Sequence, residues 1–356
     1  MQRVGIIGCG KIAQVRHIPE LSANPNARII GFYNPTSSRA EQMAARYGGK
    51  VYYDIDSLLS DPGIDAVVIC LANQAHAEVS IKALKAGKAV LCEKPMATTI
   101  EDCIEMVDAA QKAGKALMIA QNQRLTLAHK RAKELLEQGE IGRVLTFRTT
   151  FGHGGPESWS INPGKGTWFF DKKKAAMGSM ADLGIHKTDL IQYLLGQNIT
   201  SVKATIKVLD KTDEAGNPIG VDDNAICIYT MADGTFGTMT TSWTHYGQED
   251  NSTILYGSKG IMRIYDRAEY ALEIIKPGEE PVRLDIEPIQ TNDDQRASGM
   301  SDLFIETLES TDSRALASND FFLSGKSVLP AMRAIFAAIR SNDEGKEIPI
   351  PENTRI

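Results

Sequence analysis

The feature that most restricts the fold lies at the start of the chain. Arg3 to Ile7 is a short apolar run that opens directly into Gly8-Cys9-Gly10-Lys11-Ile12-Ala13. A strand that turns through two such glycines into helix-compatible residues has a specific physical use. Gly8 allows the tight turn, Gly10 lets a pyrophosphate approach the backbone, and Ala13 lets the next helix pack close to the strand. The helix N-terminus then aims its unsatisfied N–H groups at the phosphates. Gly8, Gly10, Lys11 and Ile12 are therefore expected to bind a dinucleotide.

The next hundred residues repeat the alternation that this turn demands. Arg28 to Tyr33 reads as a second strand ending at Asn34, where an acid would ordinarily grip the adenosine ribose of NAD. Asn34 can hydrogen-bond without repelling a 2'-phosphate, and Ser38 and Arg39 either hold that phosphate or simply begin a helix running to Arg46. NAD and NADP both stay open. Ala66 to Cys70 is a third apolar run, followed by Leu71, Asn73 and His76 at the entry to a helix that Gly87 stops. Ala89 to Cys92 is a buried strand that ends abruptly at Glu93-Lys94-Pro95, because proline cannot continue its ladder. Lys94 is thus placed at the carboxyl end of a parallel sheet, where ligands bind. Thr98 and Thr99 cap another helix, Gly114 ends it, and Ala116 to Ala120 makes one more strand before Gln121. The fold class is α/β: an N-terminal Rossmann dinucleotide-binding domain over 1–122, followed by a second domain.

Beyond residue 122 the pattern changes. Leu145, Phe147 and Phe151 share one parity of a strand, and Val202, Ala204, Ile206 and Val208 alternate with polar residues. Asp233-Gly234 joins two strands as a hairpin, and Gly257-Ser258-Lys259-Gly260 joins another pair. Residues 123–356 are therefore expected to form an α+β domain with a large, mainly antiparallel sheet. A C-terminal helix at about 326–340 is free to pack back on the first domain. Two stretches carry possible chemistry. The loop from Phe151 to Lys174 is rich in glycine and aromatics, including Trp159 and Trp168, and loops of this length tend to bind ligands. Its Lys172-Lys173-Lys174 run either attracts an anion or is a solvated turn. In the second stretch a helix would bring Asp182 and His186 onto one face at i, i+4, either as an acid–base pair or as a structural one.

The charge balance narrows the partners. A formal charge of −6 without a basic face argues against nucleic acid, and no apolar run is long enough to cross a bilayer. The N-terminus shows no leader, so a cytoplasmic location is expected. Five cysteines without paired spacing read as buried free thiols, and no metal site is indicated.

Taken in order, Gly8-x-Gly10-x-x-Ala13, Asn73 with His76, Glu93-Lys94-Pro95 and Asp182-x-Gly184-x-His186-x-x-Asp189 resemble the Gfo/Idh/MocA oxidoreductases over nearly the whole chain. The resemblance implies an NAD(P)-dependent enzyme that moves a hydride between the nicotinamide and a secondary alcohol of a sugar, inositol or related polyol. Lys94, Asp182 and His186 would flank the nicotinamide ring as catalytic residues, with His186 as base and Lys94 stabilising the alkoxide. Asn34, Ser38, Arg39, Leu71, Asn73, His76, Glu93 and Gln121 would complete the cofactor site. Arg124, Trp159 and Trp168 would join the catalytic residues around the substrate. A homodimer or homotetramer through the open face of the C-terminal sheet would follow. Two departures, Ala72 in place of a proline and Ala175-Ala176-Met177-Gly178 in place of a more glycine-rich approach, leave the substrate undefined. A glycosidase of the same fold with tightly held NAD, or a non-catalytic dinucleotide sensor, are the rival readings.

Overall fold

The computed structural model describes residues 1–287, 298–310 and 313–351. Within them the chain forms two compact units. In the first, the strands β1 (Gln2–Ile7), β2 (Ala27–Tyr33), β3 (Lys50–Tyr52), β4 (Ala66–Ile69), β5 (Ala89–Cys92) and β6 (Leu117–Ile119) form one parallel sheet in the order β3-β2-β1-β4-β5-β6. β4, β5 and β6 are buried along their whole length, as both-faces-covered strands must be, which is why they read as unbroken apolar runs. The strand order reverses between β1 and β4, and the crevice beyond their carboxyl ends is where this topology places a ligand.

The helices of this unit start and stop where capping chemistry dictates. α1 (Ile18–Ala23) is entered through a widened π turn at Ala13–His17, with the Ile18 N–H reaching back to the Ala13 carbonyl. α2 (Ser37–Tyr47), the short α3 (Ile55–Ser60) and α4 (His76–Lys85) follow. α5 (Ile100–Ala113) is capped by the Thr99 hydroxyl, which accepts from the Asp102 N–H at 3.1 Å, and ends at left-handed Gly114. The small β3 and α3 carry too few apolar residues to be seen as elements in the sequence.

The second unit begins at Gln123 with α6 (Leu127–Glu137). Its sheet runs in the order β14-β13-β12-β11-β7-β10-β9-β8-β15, nine strands among the described residues. The ranges are β7 (Val144–Gly152), β8 (Ile199–Lys207), β9 (Asn224–Met231), β10 (Phe236–Ser242), β11 (Thr253–Gly257), β12 (Ile261–Arg267), β13 (Tyr270–Ile275), β14 (Val282–Leu284) and β15 (Ile348–Pro349). β7 and β10 pair in parallel at the centre and the other neighbours are antiparallel. Phe147 and Phe151 on β7 are buried. Leu145, expected beside them, is 39% exposed. It precedes the first residue of β7 paired with β10 and lies at the irregular register with β11, so the sheet does not close over it. The short α7 (Lys172–Ala175) exposes its three lysines, the solvated alternative for that run. α8 (Ile185–Leu195) is the central helix of this unit.

The expected domain limits change in one respect. α9 (Met300–Glu309) and α10 (Ser313–Ser318) belong to the first unit, which continues to Leu329. The long α11 (Gly325–Glu344) runs from one unit into the other, and the second unit resumes at Pro330 within it. A chain that re-enters its first unit only after Gln123–Asp293 gives no local signal of doing so. Among the described residues no helix is long and apolar enough to cross a membrane.

Candidate active site

The dinucleotide turn of the first unit is built by close packing. Gly8 has φ +100°, and a Cβ on it would lie 2.4 Å from the Cys70 carbonyl oxygen, so only glycine fits. A Cβ on Gly10 would meet only that same oxygen, at 3.9 Å, leaving the backbone open to a large anion. Lys11 is exposed and Ile12 half-buried in the first helical turn, beside this opening. At the end of β6, Gln121 is 1% exposed, and neither end of its amide has a hydrogen-bond partner among the described residues. A buried amide with both ends unspent is costly unless a ligand satisfies it. The open turn and the unspent amide both suit a dinucleotide, whose phosphates and amide-bearing ring need these two features.

Asn34, expected at the ribose, also braces the phosphate turn. Its Oδ1 accepts from the Cys9 N–H at 2.9 Å, and its Nδ2 donates to the Thr36 carbonyl at 2.9 Å. The side chain helps shape the turn, because it matches a donor on one side and an acceptor on the other, and it keeps a second N–H and a second lone pair. Ser38 is exposed in the first turn of α2, with Arg39 half-buried next to it. Burial pushes the Cys9 thiol up to about 12, against the opposing charge of Arg39, which therefore lies close to the phosphate turn. The two residues both begin the helix, and the nearness of Arg39 to Cys9 leaves the phosphate alternative open for it.

Behind Lys94 lies a buried polar lattice. Glu93 is 5% exposed, and its Oε1 sits 2.8 Å from His17 Nε2 while its Oε2 accepts from the Lys94 N–H at 3.1 Å. His17 reaches Glu93 from the π turn, and its other nitrogen lies 3.1 Å from the Ser301 hydroxyl. Burial alone would raise the Glu93 carboxyl, but the His17 hydrogen bond and the nearby charges of His17, Arg16 and Lys94 outweigh it and hold the group at about 2. Glu93 is thus an anion locked into the protein, a different task from the expected cofactor contact. His76 also departs from that expectation, since both its ring nitrogens face backbone carbonyls, of Leu71 and Pro95. Asn73 is buried in the short turn between β4 and α4.

In the second unit the site is organised by the helix that leads into α8. Its first turn is fixed by Asp222, which accepts from the Gly178 N–H, the Ser179 hydroxyl and the Met180 N–H at 2.7–2.9 Å. A Cβ on Gly178 would lie 1.8 Å from the Asp222 carbonyl oxygen, so this approach requires glycine. Two residues earlier, Ala176 has φ +64°, a strained conformation that a glycine would adopt freely. Met180–Gly184 then forms a π turn, closed by the Ile185 N–H on the Met180 carbonyl. Asp182 and His186 were expected on one regular α-helical face, and the wider turn changes the angle between them. Such turns are frequent where side chains must be aimed at a ligand.

Asp182 is 6% exposed and accepts from Trp243 Nε1 at 3.1 Å. Its carboxylate also lies 3.9 Å from His153 Nε2. His153 Nδ1 accepts from the Gly155 N–H at 3.0 Å, so a neutral ring carries its proton on Nε2, toward Asp182. His153 and Trp243 were not foreseen. The signal for His153 was available, since it continues the buried parity of Phe147 and Phe151 one residue past the end of β7. Phe151 packs against His186 with ring centroids 5.9 Å apart and against His153 at 6.0 Å. Trp159 meets His153 edge-on at 6.1 Å, and its indole N–H is buried with no partner among the described residues. Trp168 stacks on Phe169 at 4.0 Å, which also touches Trp159 and Trp243. Trp168 thus supports the aromatic layer.

Arg124, expected at the substrate, makes an ion pair within the second unit. Its guanidinium forms a bidentate pair with Asp189 of α8, at 2.7 and 2.5 Å, and lies over the Tyr193 ring. The fork geometry matches one carboxylate, so this pair anchors α8. Lys187 is fully buried with its ammonium on the Asn251 carbonyl at 2.8 Å, and burial lowers its amine to about 7 against the charges of Asp250 and Glu249.

The first unit, with its open phosphate turn at the switch point of a doubly wound sheet, defines a dinucleotide-binding oxidoreductase of the Rossmann class. Residues 2–121 match the model of an oxidoreductase family with an NAD-binding Rossmann fold, and residues 129–263 match the GFO/IDH/MocA C-terminal domain. The inositol 2-dehydrogenase of Rhizobium meliloti is 30% identical over 275 residues, covering 76% of this chain and 78% of that protein. The levoglucosan dehydrogenase of Pseudarthrobacter phenanthrenivorans is 31% identical over 271 residues, covering 70% of this chain and 64% of that protein, under two thirds of its length. A solved levoglucosan dehydrogenase in complex with NADH and levoglucosan superposes with a TM-score of 0.80 at 25% identity, over 99% of this chain and 100% of that one. The chain belongs to the Gfo/Idh/MocA family of NAD-binding oxidoreductases.

Proposed function

We propose that this protein is an NAD(P)-dependent dehydrogenase that oxidises a secondary alcohol of a sugar, inositol or related polyol. The observation that carries the reading is the buried Asp182 carboxylate, held by Trp243 and facing His153, one turn before His186 in an aromatic setting. The relatives named for levoglucosan and inositol support a polyhydroxylated substrate. Aromatic faces suit the C–H faces of such rings, and the unspent Trp159 indole suits a hydroxyl oxygen.

The nicotinamide, when bound, supplies the hydride acceptor. The chain's own residues handle the proton and the charge. His186 takes the hydroxyl proton as the C–H bond breaks, with the fixed negative charge of Asp182 favouring the imidazolium that forms. Lys94, at the end of β5, stabilises the developing alkoxide, a task for which a cation in a dry site is suited. In the reverse direction His186 returns the proton.

Assembly through the open face of the second sheet is part of the proposal. That face exposes Ile226, Ile228 and Phe236, which a second copy would cover. Sedimentation of the wild type against Ile228→Lys tests it, and a monomer in both would sink it.

Titration with NADH and NADPH, followed by a sugar and polyol panel read at the nicotinamide absorbance, tests the function. Lys94→Ala should lower turnover by about 10³-fold while leaving cofactor affinity largely intact. Near-normal turnover would remove Lys94 from the mechanism. Net hydrolysis without NADH accumulation would favour the glycosidase reading. Tight cofactor binding with no turnover across the panel would favour a sensor.

A further inference from the structure

His76 opens α4 and is 1% exposed. Its Nδ1 lies 2.7 Å from the Pro95 carbonyl oxygen and its Nε2 lies 3.1 Å from the Leu71 carbonyl oxygen. A carbonyl oxygen only accepts, so both ring nitrogens must donate. A neutral imidazole has one N–H and would press a lone pair against the second oxygen. Only the imidazolium satisfies both contacts.

We propose that His76 is a positioning residue for Lys94: its doubly protonated ring ties the turn after β4 to the turn after β5. The proposal rests on the role given to Lys94 above. Pro95 directly follows Lys94, and Leu71 directly follows the β4 turn residue Cys70, so one buried ring spans two neighbouring strand ends. The main chain at Lys94 is then gripped on both flanks. Glu93, fixed by His17, accepts from the Lys94 N–H before it, and His76 holds the Pro95 carbonyl after it. A catalytic amine must be held to within a fraction of an ångström, and backbone fixed on both sides contributes to this.

The surroundings are consistent with the charged ring. Burial opposes the charge, and the partial positive end of α4 adds to that cost. The Cys92 sulfur of β5, the titratable group that faces the ring, and the two carbonyls outweigh it and raise the imidazole to about 9.

The test uses the holoenzyme with NADH bound. In histidine-15N-labelled protein, whose six histidines include His17 beside Glu93, a ring with both nitrogens protonated at pH 7.5 should be present in the wild type and be missing in His76→Gln. A wild-type spectrum with every ring singly protonated at that pH overturns the proposal, whether or not the variant folds. Glutamine has one donor nitrogen where the ring places two at separate carbonyls, so His76→Gln should lower kcat about 100-fold with the NADH Kd within about threefold. Adding Lys94→Ala to His76→Gln should then cost far less than Lys94→Ala costs alone. If the two losses instead multiply while Lys94 is essential by itself, His76 does not act through Lys94. Near-normal turnover in Lys94→Ala alone would overturn the assignment of Lys94 and this role with it.

Discussion

Both units open a helix through a π turn, at Ala13–His17 and at Met180–Gly184, and the surroundings of the two turns differ in kind. In the first unit the turn delivers His17 into a hydrogen-bonded lattice of Ser301, Glu93 and the Lys94 main chain, with His76 closing the other side. In the second it delivers Asp182 to Trp243 and His153, beside the mutually packed rings of Phe151, Trp159, Trp168 and Phe169. On the function proposed above, the difference follows from what each would hold. A dinucleotide is the same in every turnover, so its unit can commit polar groups to one rigid arrangement. A ring of hydroxyls is better received by apolar faces with a few donors left unspent, because directional bonds to the protein would leave none for the substrate.

The largest effect expected from breaking this contrast is in the polar lattice. Glu93→Gln removes the anion beside His17 and should destabilise the protein by about 2 kcal/mol at pH 7, read by denaturant unfolding. Because the Glu93 carboxyl is depressed from its ordinary 4.5 to about 2, its contribution is complete above the ordinary value and fades as pH falls toward 2. The stability gap between wild type and variant should therefore narrow across that acid window. A gap that stays constant with pH would show that the charge of Glu93 is not what stabilises.

In the aromatic region, Trp159→Phe keeps the ring contact with His153 and removes only the indole N–H. KM for the substrate should rise about tenfold with kcat little changed, the signature of binding lost equally in ground and transition states. Unchanged KM would mean that this donor is not used.

At the phosphate turn, Asn34→Asp keeps the acceptor for Cys9 but loses the donation to Thr36 and adds a negative charge. The ratio of NADPH to NADH affinity should fall about fivefold, as expected for a like charge placed near a 2'-phosphate. A ratio that does not move would place that phosphate away from Asn34. The smallest effect is at Ala176, whose φ of +64° favours glycine. Ala176→Gly should stabilise by about 1 kcal/mol, the relieved strain exceeding the added chain entropy. Thermal unfolding measures it, and a loss of stability would show that the strain is already relaxed.

Much of this molecule was legible in the chain. The Gly8 to Ala13 turn, the fully apolar β4 and β5, and the hairpins at Asp233-Gly234 and Gly257 to Gly260 are local signals, each set by a few neighbouring residues. So is the end of β5 at Glu93-Lys94-Pro95. What sequence could not decide was partnership. That Asn34 braces the turn, that Arg124 pairs with Asp189, and that His17 reaches Glu93 are contacts between residues 25 to 76 positions apart. Likewise Trp243 finds Asp182 from 61 positions away, and α9 returns to the first unit after the second is built. A residue's type and spacing fix which bonds it is able to make. Which of them it does make depends on what tertiary packing brings within 3 Å, and only the folded chain supplies that.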